Sequence, residues 1–236
     1  MRHRLLLVAL LLAASGPPAA GQPQAGQPHG PSHALEMNRR WMAPDVDVEA
    51  WARRFEDPAR EVIASRPAIV SALRLAPGQT VADIGAGTGA FLRPLSEAVG
   101  PQGRVLAVDI SAPFAAFMAA RAGREGLSNV TVIVGRGDDP TLGPDSVDAV
   151  LTVNTFHHFE APEAMLAAIR RALRPGGQLA VVDFDRGRAG AGRGPAGMAL
   201  DRAEIVRLAE AAGFRLIEEV PIPTLRSNVM LRFRRP

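Results

Sequence analysis

Residues 81–89 read Val81-Ala82-Asp83-Ile84-Gly85-Ala86-Gly87-Thr88-Gly89. An apolar run carries an acid near its end and then turns through three alternating glycines. This reads as a buried β-strand breaking into a glycine-rich turn that opens a helix. Such a turn lets a ligand lie against bare backbone, with the N–H groups of the following helix aimed at it. Asp83 falls at the carboxyl end of the strand, where open α/β sheets bind ligands. A carboxylate there suits a ligand with a cationic end.

Working outward, strands and helices alternate. Strands are expected over 79–84, 103–109, 130–134, 147–153 and 178–184, and helices over 89–98, 112–125 and 162–173. The strands are near-continuous apolar runs, as required when helices cover both faces of a parallel sheet. The end differs. A helix over 201–212 closes at Gly213, and strands near 214–220 and 226–233 follow with no room for a crossover helix. A short link of that kind demands an antiparallel pair. The expected fold class is α/β: a Rossmann-like, doubly wound, mostly parallel seven-stranded sheet with a C-terminal antiparallel hairpin.

Asp109 ends the second strand about twenty residues past the glycine turn, the position from which an acid takes both ribose hydroxyls of an adenosyl group. The third strand leads into Gly135-Arg136-Gly137-Asp138-Asp139, where an acid and a neighbouring N–H can read an adenine edge. The fourth ends at Asn154, followed by Thr155-Phe156-His157-His158-Phe159, and Leu173-Arg174-Pro175-Gly176-Gly177 comes further on.

Together these motifs resemble the class I S-adenosylmethionine-dependent methyltransferases. Within that group they look like the small-molecule branch typified by ubiquinone/menaquinone biosynthesis, over residues 67–233. The resemblance implies S-adenosyl-L-methionine as cofactor, an unidentified small-molecule acceptor and a methyltransferase domain over 76–236. It implies cofactor contacts at Asp83, Gly85, Ala86, Gly87 and Gly89. Further contacts are implied at Asp109, Ile110, Gly137, Asp138 and Asn154. The chain departs from the pattern at Arg136, where relatives often carry an aspartate; Asp138 is therefore taken for the adenine contact. In such proteins the loop after strand four flanks the reacting methyl group, so His157 or His158 is a general base where the acceptor must lose a proton. His157 is the residue chosen.

Composition removes rivals. All 27 basic residues are arginine, and the chain has no Lys, Cys or Tyr. The glycine turn also satisfies a relaxed dinucleotide fingerprint. An NAD(P)-dependent oxidoreductase of the short-chain type needs a Tyr/Lys pair that this chain lacks. A thiolate nucleophile or thiolate metal site is excluded, and no metal site is expected. The net charge of +3 comes with no basic block interleaved with aromatics, so no nucleic-acid partner is expected.

Residues 1–21 combine Met1-Arg2-His3-Arg4, a short leucine-rich run and Ala19-Ala20-Gly21, which reads as a Sec-type signal peptide and not as a membrane span. The expected location is periplasmic or secreted, or cytoplasmic if residues 1–21 are not a signal. Export leaves a non-catalytic ligand-binding protein on the same scaffold as the alternative function. Residues 22–40 read as a flexible linker and 41–75 as N-terminal helices. Val48, Trp51 and Phe55 form one apolar face, and Asp57-Pro58 looks like the capped start of the next helix. That face is expected to lid the site, with Arg60 pointing at the acceptor. A Gly/Arg-rich loop from Arg186 to Gly197 has no assigned role.

Overall fold

The computed structural model describes residues 31–188 and 200–236. The expected signal peptide, the expected linker up to residue 30 and most of the Gly/Arg-rich loop lie outside the described residues. Seven strands form one sheet: β1 (Thr80–Ile84), β2 (Arg104–Asp109), β3 (Val130–Val134), β4 (Val147–Val153), β5 (Leu173–Phe184), β6 (Arg215–Glu219) and β7 (Asn228–Arg234). Their order is β3-β2-β1-β4-β5-β7-β6. β1 to β5 run parallel, and β7 inserts antiparallel between β5 and β6.

This order places the site. The chain leaves β1 toward β2 and β3, then returns to the other side of β1 with β4. The crossovers on either side of β1 therefore diverge, and a crevice opens outside the carboxyl ends of β1, β2 and β4. Side chains alternate across the sheet, as strand geometry demands. From β1, Val81 joins one apolar layer while Ala82 and Ile84 join the other. Helices α5 (Leu92–Val99), α6 (Ala112–Arg124), α7 (Pro162–Ala172) and α8 (Arg202–Ala211) cover these layers. In α7, Met165, Leu166 and Ile169 are buried, the i, i+1, i+4 stripe of a core-facing helix.

Two boundaries in and beside the sheet depart from expectation. β5 starts at Leu173, which pairs with Val147, and regains register only at Gln178 opposite Ala149. Arg174-Pro175-Gly176-Gly177 is thus a bulge within the strand, with Gly176 at φ 78°. Helix α5 begins at Leu92, three residues later than its pattern suggested, because the glycine turn continues through Phe91.

The linker expected over 22–40 is corrected at its end: Pro31–Met42 is a helix, α1. Its Ala34, Met37 and Asn38 are buried, and it packs on α6 and on a 3₁₀ turn at Phe156–His158. Helices α2 (Val48–Phe55), α3 (Glu61–Ala64) and α4 (Arg66–Ala72) follow. Asp57-Pro58 does not start a helix. Asp57 Oδ1 accepts the N–H of Ala59 at 2.8 Å in a capped turn, and α3 begins at Glu61. Glu61 then accepts the backbone N–H groups of Arg226, Ser227 and Asn228, anchoring α3 to the start of β7.

Candidate active site

The crevice is a cavity of about 840 Å³. Asp83, Gly85, Ala86 and Gly87 line it, as do Asp109, Ile110, Gly137, Asn154 and His157. Two expected residues do not. Gly89 packs its backbone against Leu92 and Met118, where a Cβ would come within 2.6 Å of the Leu92 side chain. Asp138 stands off the cavity wall, mostly exposed and 3.7 Å from the Arg136 guanidinium. Arg136 lines the cavity in its place.

The two acids differ in their partners. Asp109 Oδ2 accepts the N–H of Gly87 at 2.8 Å, and Oδ1 accepts the N–H of Ser111 at 2.9 Å. Each oxygen keeps a second lone pair for a ligand. Burial raises the Asp109 pKa, and the N–H donors of Ser111, Gly87 and Ile110 oppose that rise. Asp83 is only 2% exposed, and no hydrogen bond or ion pair reaches its carboxylate among the described residues. Burial, and then the nearby Asp109 charge, push its pKa up to about 7. A buried acid without a donor is costly as an anion and calls for a cation.

The glycines serve separate ends. At Gly85 a Cβ would meet Thr155 Cγ2 at 2.0 Å, so this residue lets the β4 loop cross over β1. Gly87 has φ 57°, and its open side faces the ring of Phe55 at 3.7 Å. Here bare backbone borders the cavity.

β4 ends at Asn154, held at φ 51° with its N–H donated to Val182 O at 2.7 Å and its side-chain amide against that of Asn228. The 3₁₀ turn follows. His157 Nδ1 lies 2.6 Å from Asp183 Oδ1, and both side chains are almost wholly buried. Asp183 Oδ2 also accepts the His157 N–H at 3.3 Å, and Oδ1 that of Phe184 at 2.7 Å. The sequence reading missed Asp183. The available signal was an acid near the end of an otherwise apolar strand, the pattern that singled out Asp83.

The N-terminal helices supply the remaining wall. Trp41, Trp51 and Phe55 line the cavity together with Phe114. Trp41 and Trp51 meet edge to face with centroids 5.8 Å apart. Three contacts hold these helices down. Asn38 Nδ2 donates to His158 O at 3.1 Å, Ser111 Oγ donates to Trp41 O at 2.6 Å, and Glu56 Oε1 accepts from both Thr88 Oγ1 and Arg121 Nη1. Arg60 also lines the cavity, its Nη1 donating to Phe55 O at 2.7 Å. No carboxylate lies within salt-bridge distance of it among the described residues. Burial, then Arg54, lower its pKa, and Asp57 opposes them.

Residues 81–177 match the family model described as a methyltransferase domain. Nocamycin O-methyltransferase of Saccharothrix syringae is 39% identical over 103 residues, covering 44% of this chain and 37% of that protein. A ubiquinone/menaquinone biosynthesis C-methyltransferase of Hydrogenovibrio crunogenus is 30% identical over 111 residues, covering 47% of this chain and 44% of that protein. The matched stretches thus span less than half of either relative. A SAM dependent methyltransferase from Aquifex aeolicus superposes with a TM-score of 0.72 at 24% identity, covering 79% of this chain and 98% of that one. The fold is the Rossmann-like fold of methyltransferases.

Proposed function

We propose that this protein transfers a methyl group from S-adenosylmethionine to a small-molecule acceptor. The observation that carries the reading is the pair of acids around the glycine turn. Asp83 is a buried carboxylate with no partner of its own, suited to the ammonium of the cofactor's methionine end. Asp109 has lone pairs left for ribose hydroxyls. The open side of Gly87 accommodates the cofactor against its backbone, whereas a pyrophosphate would set negative charge beside Asp83. The bound cofactor supplies a methyl group on a sulfonium, a carbon already activated for displacement. The protein's own work is then to align the acceptor and to keep water out, which Trp41, Trp51 and Phe55 do from the lid side. Arg60 adds positive charge on the same wall, toward the acceptor.

Calorimetric titration with S-adenosylhomocysteine tests this reading. Asp109→Ala is expected to weaken binding ten- to a hundredfold, the loss of charge-assisted hydrogen bonds of about 1.5–3 kcal/mol. Equal affinity in both proteins removes Asp109 from the site.

The amino terminus belongs to the same proposal. Residues 1–21 are read as removed on export, leaving Gln22 first. Mass spectrometry of the native protein checks this, and an intact Met1 in the cytosolic fraction contradicts it.

A further inference from the structure

We propose that the methyl acceptor is an organic anion, anchored by a carboxylate on the guanidinium of Arg60, with the atom that takes the methyl elsewhere in the molecule. This rests on the methyltransferase reading above and names the substrate class of the same cavity.

The cavity has two poles. Its floor carries the acids Asp83 and Asp109, and its lid wall carries Arg40, Arg54 and Arg60. Each of these arginines lies over an aromatic ring of that wall. Cζ to ring centre is 5.8 Å for Arg40 over Trp41, 5.2 Å for Arg54 over Trp51 and 5.5 Å for Arg60 over Phe55. A guanidinium over a ring spends its face there and keeps its in-plane N–H edge for an anion. Among the described residues none of the three has a carboxylate within salt-bridge distance. Arg136, also on the cavity, differs: it lies 3.7 Å from Asp138 and 3.5 Å from Asp139. Arg40 and Arg54 are exposed, where water serves their charge, but Arg60 is half-buried. Its Nη1 donates to Phe55 O at 2.7 Å, and no other hydrogen bond of its guanidinium ends on a described residue. Asp57 is exposed and spends Oδ1 on the N–H of Ala59 at 2.8 Å. A half-buried cation without a counter-charge is costly, and a carboxylate is the partner whose two oxygens match the remaining fork. A neutral acceptor leaves that cost standing.

The cofactor has a carboxylate of its own, and the two poles keep it from this place. Burial and then Arg54 lower the Arg60 pKa, and Asp57 opposes them. Burial and then Asp109 raise the pKa of Asp83. Each pole thus answers to neighbours on its own side. The cofactor carboxylate is bonded to the carbon that bears the ammonium, so an ammonium at Asp83 keeps it at the floor. The anion for Arg60 then comes with the second substrate. Its carboxylate is the handle and not the reacting group, because pairing with a guanidinium draws off its charge and weakens it as a nucleophile. Arg40 and Arg54, exposed along the same wall, attract the same charge on approach.

The test uses the full chain saturated with S-adenosylhomocysteine, whose own affinity is recorded for each protein. The probes are benzoate and benzamide, a carboxylate and a neutral counterpart of nearly the same shape. NMR titration at fixed ionic strength is expected to show benzoate binding at least about tenfold more tightly than benzamide. Arg60→Gln is expected to weaken benzoate at least about tenfold, with benzamide and S-adenosylhomocysteine within about threefold of wild type. Arg60→Lys keeps the charge without the fork and is expected to lose part of the benzoate affinity; it takes the place of Arg60→Gln if that variant does not fold. Benzoate that does not bind, that binds no better than benzamide, or that binds the variant as well as wild type overturns the proposal. A variant whose S-adenosylhomocysteine affinity falls as far as its benzoate affinity puts Arg60 on the cofactor's carboxylate and overturns it too. Where wild type itself fails to bind S-adenosylhomocysteine, it is the methyltransferase reading that fails, and this proposal with it.

Discussion

Replacing Asp83 by Asn removes an ionisable group that the apo fold holds at a cost. Its pKa stands at about 7, against 3.8 when solvated, because the side chain is buried and faces Asp109. A carboxyl group with a raised folded pKa contributes stability that is fully present below its unfolded pKa. That stability is lost as pH rises through the folded pKa. The rise corresponds to about 4 kcal/mol of destabilisation at pH 8, at about 1.4 kcal/mol per pKa unit. At pH 5 the group is still mostly protonated in the fold, and the loss is about 2 kcal/mol. The Asn amide has its own burial cost, so Asp83→Asn is expected to stabilise the apo protein at pH 8 by about 2–4 kcal/mol. That is a rise in melting temperature of about 5–15 °C for a chain of this size. At pH 5 the gain shrinks by about half or more. The variant loses the counter-charge for the cofactor ammonium, so S-adenosylhomocysteine is expected to bind it ten- to a hundredfold more weakly. Scanning fluorimetry at both pH values, with and without S-adenosylhomocysteine, checks all three. An Asp83→Asn protein less stable than wild type at pH 8, or a difference that does not depend on pH, refutes the reasoning.

Gly87→Val is expected to abolish S-adenosylhomocysteine binding, because a β-branched residue resists φ 57° and its side chain occupies the cavity edge beside Phe55; a folded variant with normal affinity by calorimetry places the cofactor elsewhere. Trp51→Ala is expected to lower turnover or acceptor affinity more than S-adenosylhomocysteine affinity, since it opens the lid wall; steady-state kinetics alongside calorimetry separate the two, and a purely stability effect argues against the lid. Glu61→Ala leaves the N–H groups of Arg226, Ser227 and Asn228 without their acceptor and is expected to cost about 2–4 kcal/mol, read by urea denaturation.

The sheet was legible because its strands are short apolar runs bounded by Gly and Pro, and burial on both faces leaves little choice of element. Asp83 and Asp109 were legible for a related reason: an acid closing an apolar run is unusual, and the two strand ends are neighbours in a doubly wound sheet. Other features depend on contacts distant in sequence. The His157–Asp183 pair joins residues 26 apart across β4 and β5, and periodicity within one strand carries no trace of it. Helix α1 lies in a stretch rich in Pro and polar residues, and it is ordered by burying Met37 and Asn38 under tertiary contacts that propensity does not encode. Gly89 and Asp138 fit their motifs yet fall outside the cavity. A motif fixes spacing along the chain, whereas packing decides direction: Gly89 lies against Leu92, and Asp138 stands exposed beside Arg136.

The central claim is that the cavity at the ends of β1, β2 and β4 holds S-adenosylmethionine with its ammonium at Asp83 and its ribose at Asp109. A crystal structure of the full chain with S-adenosylhomocysteine tests it most directly. The account predicts the ammonium within hydrogen-bond distance of Asp83, both ribose hydroxyls on Asp109 and the methionine chain beside Gly87, with Nε2 of His157 on the side of the sulfur. S-adenosylhomocysteine bound elsewhere, or in this cavity with neither acid in contact, contradicts it.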